Sequence, residues 1–104
     1  MANTNPSPYK YSFFPTALQA VQDFGRLARV QGFGAEFAHD LRTWTDRLKS
    51  DPVGWGDPLY DFHNLGMTYY RGSSDSLFAY FCVNQVARQV IVRSVVAGPY
   101  TALA

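Results

Sequence analysis

The sequence predicts a two-layer α+β domain: a short N-terminal strand, then two helices packed on one face of a mainly antiparallel sheet. Three observations predict it. Leu59 to Val96 holds three β-rich runs, LYDFHNLGMTYYRG, SLFAYFCV and RQVIVRSVV, separated by two polar turns. Ahead of them lie two segments whose apolar residues recur at helical spacing. The chain of 104 residues has the usual size of one domain, and 47% hydrophobic against 16% charged residues supplies apolar material for a single core.

In chain order, residues 1–8 (MANTNPSP) are polar, contain two prolines and read as a disordered tail, leaving 9–104 as one domain. YKYSFF (9–14) alternates and is rich in aromatics, as a short strand would be, and Pro15 ends it. Thr16 and Gln19 have the spacing of a capping box, which places a helix start there. Leu18, Val21, Phe24, Leu27 and Ala28 then form its apolar face. Gly32 and Gly34 interrupt the pattern. Phe37, Leu41, Trp44 and Leu48 mark a second, clearer amphipathic helix, with Asp40, Arg42, Asp46, Arg47 and Lys49 as a solvated surface.

SDPVGWGDP (50–58) has two Asp-Pro pairs and two glycines, so it reads as the turn from helices to sheet. Trp55 within it is either a loop anchor on the core rim or an exposed contact for a partner. Leu59–Phe62 and Met67–Arg71 form one interrupted strand or a strand pair turning at Asn64 to Gly66. GSSDS (72–76) is a turn. LFAYFCV (77–83) is apolar on both parities, as a central strand would be. After a turn over 84–88, VIVRSVV (90–96) has Arg93 as its single charge, and Gly98-Pro99 stops it.

Several site classes are excluded at this level. The net charge of +1 comes from nine basic and eight acidic residues, which argues against tight, sequence-independent nucleic-acid binding through many phosphates. His39, His63 and the lone Cys82 are too scattered for a metal site, so no metal and no cofactor is expected. Cys82 lies in the most apolar strand and reads as a buried thiol in a reducing, intracellular setting. No secretory leader and no apolar run of about 18 residues that could span a membrane is expected.

The order strand, helix pair, antiparallel meander, with LKSDP closing the helices and PLYDF, GMTYYR, SLFAYFCV and VIVRSVV following, resembles the RelE/ParE superfamily of toxins from toxin–antitoxin pairs. The likeness spans Tyr9 to Tyr100. It implies a RelE/ParE-like fold and a cytoplasmic toxin, in one branch a ribosome-dependent mRNA endoribonuclease and in the ParE branch a non-nucleolytic inhibitor. It also implies a cognate antitoxin as partner, with ribosome and mRNA as the target. The family's glycine, four residues, then arginine is matched by Gly66 to Arg71. Its second arginine is replaced in Ser76-Leu77-Phe78, and of its basic C-terminal cluster with tyrosine only Tyr100 remains. The resemblance therefore implies a reduced catalytic set of Arg71, His63 and Tyr100, with Arg93 and Arg88 as RNA-binding cations.

Strand parity adds a hint of its own. If Arg71 faces the side of the sheet away from the helices, Met67 and Tyr69 share that side; if Arg93 does, so do Ile91 and Val95. Such a face is apolar as well as basic, and monomers seldom leave one bare. Met67, Tyr69, Ile91, Val95 and Trp55 are thus the candidate partner-binding residues. A non-catalytic interaction module of the same fold and a homodimer covering this face remain the alternatives.

Overall fold

The structure, a computed structural model, describes residues 8–98. Strand β1 (Lys10–Phe13) leads into helices α1 (Pro15–Val30) and α2 (Gly34–Ser50) and a one-turn helix α3 (Pro52–Trp55). Then come β2 (Asp57–Phe62), a 3₁₀ turn over His63–Leu65, β3 (Met67–Ser73), β4 (Leu77–Asn84) and β5 (Gln89–Ala97). The strands form one sheet in the order β1-β5-β4-β3-β2. β2 to β5 are an antiparallel meander, and β1 adds in parallel to β5. The two-layer α+β prediction holds, with the two Leu59–Arg71 runs resolved as a strand pair. No helix among the described residues is long and apolar enough to cross a membrane.

α1 starts two residues earlier than the capping box implies. Phe14 is its N-cap, Pro15 occupies the first turn, and no side chain caps the helix. Proline's fixed φ suits that first position and its missing N–H costs nothing there, so the start is set by Pro15. Gln19 donates to Asp23 instead. The apolar face is also rotated from the sequence reading. At about 100° per residue, Ala17, Val21, Phe24 and Ala28 fall within an arc of about 60°, whereas Leu18 and Leu27 lie on its flanks and stay exposed. α2 buries Phe37, Trp44 and Leu48 as expected.

The stretch read as a plain turn after α2 contains α3, because each part of Asp51-Pro52 does what a helix start needs. Asp51 Oδ1 accepts the Gly54 N–H at 3.0 Å, and Pro52 is the first helical residue. α3 carries Trp55 into the core. A row of rings runs through that core: Phe13, Trp44, Trp55, Phe81 and Tyr70, with neighbouring centroids 5.6–6.1 Å apart. The Trp55 indole N–H donates to the Ser73 carbonyl at 3.2 Å. Gly72 and Ser73, read as turn residues, belong to β3.

Asp40, read as a solvated helix residue, instead ties α2 to the β3–β4 turn. Its carboxylate accepts the Ser74 hydroxyl at 2.7 Å and the Ser76 N–H at 3.0 Å. The Asp75 N–H approaches the same carboxylate at 3.4 Å.

Candidate functional site

Both long helices pack on one face of the sheet; the other face, which no element among the described residues covers, carries whatever its strands project there. From β3 these are Met67, Tyr69 and Arg71, because Tyr70 and Gly72 point into the core. The cross-strand partners of Tyr69 and Arg71 on β4 are Cys82 and Tyr80, with Phe78 one step further on. β2 adds Tyr60 and Phe62 opposite Tyr69 and Met67. The result is a ladder of rings: Tyr60 to Phe62 at 4.7 Å, Phe62 to Tyr69 at 6.4 Å, and Tyr69 to Tyr80 at 6.2 Å. The period-two placement of Tyr60/Phe62, Tyr69 and Phe78/Tyr80 is legible in the sequence, but only strand register shows that they adjoin.

β5 departs from simple alternation at one residue. Phe81 pairs with Val92 and Tyr80 with Ser94, so Arg93 is the extra residue of a β-bulge. The bulge inverts parity beyond it. Val95 therefore turns into the core, 5% exposed, and is not a partner-binding residue of the uncovered face; Ser94 and Val96 take that side. Ile91, before the bulge, lies on the uncovered face opposite Cys82. Arg93 reaches the same side, where its guanidinium acts on the Cys82 thiol and lies 5.3 Å from the Phe14 ring centre. Burial pushes the Cys82 thiol up, against the opposing pull of Arg93.

Arg71 and Arg93 consequently flank Tyr80. Arg71 is Tyr80's direct partner on one side, and Ser94, next to Arg93, is its partner on the other. Two strand spacings separate the outer positions, about 10 Å. Arg71 rests over Phe78, 5.5 Å from the ring centre. Such a contact is worth only about 0.5–1 kcal/mol at an exposed site, whereas a charge-assisted hydrogen bond contributes roughly 1.5–3. A phosphate would win Arg71 from the ring.

The other candidates lie elsewhere. His63 sits in the β2–β3 turn, with an 83% exposed side chain and its Nδ1 3.4 Å from Asp61. Met67 follows that turn and Arg71 is four residues further along β3, about 14 Å of extended chain. One phosphate cannot touch both His63 and Arg71. Arg88 stands at the β4–β5 turn with φ of 56°, its guanidinium 4.0 Å from the ring centre of the core residue Tyr9. It is not grouped with Arg93. Trp55 is the core anchor of the two readings, stacked between Trp44 and Phe81 on the helix side of the sheet. Tyr100 lies outside the described residues. Among the described residues no group of three His, Cys, Asp or Glu side chains could hold a metal ion.

A helix pair over one face of a sheet with this strand order is a RelE-like fold. A chain in the crystal structure of the archaeal RelE–RelB complex from Pyrococcus horikoshii OT3 has the same fold, with a TM-score of 0.66 over 89% of this chain and 98% of that one. Sequence identity is 13%, so what is shared is the fold. No protein-family model matches the sequence, and neither does any curated protein.

Proposed function

We propose that this protein is the toxin component of a toxin–antitoxin pair and acts on single-stranded RNA through its uncovered sheet face, as a ribosome-dependent mRNA endoribonuclease with a reduced catalytic set. The observation that carries this is the Arg71–Tyr80–Arg93 row on a ring-lined face. Unpaired bases stack on such rings, and the two guanidiniums take the phosphates between them. Cleavage by the 2′-hydroxyl needs a group to accept its proton, one to protonate the departing oxygen, and cations to meet the charge building on phosphorus. Arg71 supplies the charge, the Tyr80 phenol opposite it protonates the departing oxygen, the 2′-hydroxyl proton passes to water, and Arg93 positions the strand. The target places the protein in the cytoplasm. The fold shared with a chain of a RelE–RelB complex supports a cognate antitoxin as protein partner.

A second reading has its own observation. Neither histidine lies beside Arg71 and Tyr80: His63 is in the turn, and His39 is on α2. That absence suits a non-catalytic interaction module that uses the same face to bind. Inducible expression of the wild-type chain beside Arg71→Ala and Tyr80→Phe, read by growth and by mapping of mRNA ends, separates them. Arrest with new mRNA ends, lost in Arg71→Ala, is expected. Unimpeded growth of the wild type in the absence of any partner would overturn the toxin reading.

A further inference from the structure

The uncovered face continues past the arginine row onto β1. Tyr11 and Phe13 pack against the core, so alternation turns Lys10 and Ser12 to the side that carries Ile91. The register sets Lys10 opposite Gln89 and Ser12 opposite Ile91. Between these four lies a dent of about 240 Å³, with Tyr11 and Val90 completing its lining. Val90 is buried on the core side, 1% exposed, so the dent opens on the uncovered face.

Its rim carries an ammonium, a hydroxyl and a carboxamide, its floor is the apolar Ile91, and no acidic side chain lines it. Among the described residues the side chains of Lys10, Ser12 and Gln89 make no hydrogen bond or ion pair, so their polar atoms are available to a ligand. Asn84, across from Gln89 on β4, is by contrast committed to its turn, where its Oδ1 accepts the Ala87 N–H at 2.9 Å. The dent also stands close to a cation already assigned. Phe14, under the Arg93 guanidinium, follows Ser12 by two residues, about 7 Å of extended chain. A phosphate held by Arg93 can keep the base of its own nucleotide in the dent.

The chemistry of the rim selects the base. A lysine ammonium donates and never accepts, and a carboxamide places a further donor beside it. Guanine presents two acceptors side by side, O6 and N7, whereas adenine sets an amino group next to N7 and cytosine carries an amino group too. An ammonium facing an amino group leaves both donors unpaired, which is costly. Uracil offers O4 but no N7 beside it. The charge of the chain points the same way. At a net +1 it can neutralise few phosphates, so contacts to a base must supply affinity that the backbone does not.

We infer that the β1–β5 dent is a guanine-binding subsite of the single-stranded RNA site, in which Lys10 donates to O6, the Gln89 amide donates to N7 and Ile91 carries the ring. The inference rests on the reading above for the nucleic acid, and adds which base is read and by which residues. Lys10 and Gln89 are specificity residues, set apart from the row that meets the phosphate.

The test uses the full chain and four labelled pentaribonucleotides, UUXUU, with guanine, adenine, cytosine or uracil at X. Fluorescence anisotropy gives affinity, and amide NMR shifts give location. The guanine strand is expected to bind roughly tenfold more tightly than the others, with shifts at residues 10–12 and 89–91. Lys10→Glu replaces the donor by an acceptor for an amino group and should make adenine the preferred base, a gain that a misfolded chain would not show. Gln89→Ala should remove most of the guanine preference. Arg71→Ala should weaken all four strands alike and keep their order. Equal affinity for the four strands, a guanine preference that survives both Lys10→Glu and Gln89→Ala, or shifts elsewhere on the face with none at 10–12 would overturn the subsite and leave the RNA reading standing. Binding of none of the four strands would overturn both.

Discussion

The indole of Trp55 occupies the space that any side chain on Gly72 would need. A Cβ built at Gly72 collides with the six-membered ring of that indole, and Trp55 is fixed there by stacking on Trp44 and Phe81 and by its hydrogen bond to Ser73. The ring cannot retreat without unstacking its neighbours. Gly72→Ala should therefore destabilise the fold by about 1–3 kcal/mol through overpacking. Gly66→Ala makes a useful contrast, since nothing crowds that position but its φ of 65° is left-handed; its cost should be about 1 kcal/mol, from the backbone alone. Urea unfolding of both variants measures the difference.

Asp40 offers a second stability test. Its carboxylate is the acceptor for the hydroxyl of Ser74 and the N–H of Ser76, across a loop far from it in sequence. Asp40→Ala takes the acceptor from the Ser76 N–H in a part-buried setting and leaves the Ser74 hydroxyl with the Leu77 carbonyl, and should cost about 1–3 kcal/mol. Asp40→Asn keeps an acceptor and should cost less. Amide exchange over 74–76 should quicken in the alanine variant while β1 and β5 keep their protection.

Stability should fall at alkaline pH. Burial raises the Cys82 thiol and the Tyr70 phenol above their ordinary values. In the unfolded chain both groups ionise at those ordinary values, about 8.5 for a thiol and about 10 for a phenol, while the folded chain still holds the protons. Deprotonation then favours the unfolded state, so stability is complete below these values and is lost as pH rises through them. Chemical unfolding followed from pH 7 upward should show this decline, with Tyr70→Phe removing its later part. A flat profile across that range would contradict the burial of both groups.

Binding to single-stranded RNA should register the two arginines as a pair. Arg71→Ala and Arg93→Ala are each expected to weaken binding with little dependence on base identity. Each should also reduce the slope of log affinity against log salt by about 0.7, the share of one phosphate on a single strand. Tyr69→Ala should weaken binding by about 1–3 kcal/mol through lost stacking while leaving the salt slope unchanged. Arg88→Ala should leave both quantities unaltered, since its guanidinium lies over Tyr9.

Local patterns in the sequence carry much of this fold. The buried stripe of α2 follows from Phe37, Trp44 and Leu48 alone, and the grouping of Met67, Tyr69 and Arg71 follows from alternation within one strand. What escaped depends on relations between segments. Val95 reads as a neighbour of Arg93 on the uncovered face until the bulge against Tyr80 and Phe81 is known, and nothing within VIVRSVV marks an extra residue. Trp55 among glycines looks like loop, although Asp51-Pro52 before it has the chemistry of a helix start. The placement of Tyr80 between two arginines is a matter of register across three strands. His63 and Arg71 both look suited to one site by residue type, and only the length of β3 separates them.

The parallel pairing of β1 with β5 has a consequence for how the protein is made. Lys10 pairs with Gln89 and Phe13 with Val92, so β1 finds its place only beside a strand made about eighty residues later. The meander from β2 to β5 closes through short turns, but β1 must wait, and contacts so distant along the chain slow folding. Until β5 has emerged from the ribosome, β1 and the helix pair that follows it have no sheet edge to join. A nascent chain halted short of residue 89 lacks both the closed core and the strand that carries Arg93, so the arginine pair around Tyr80 exists only once β5 has been made.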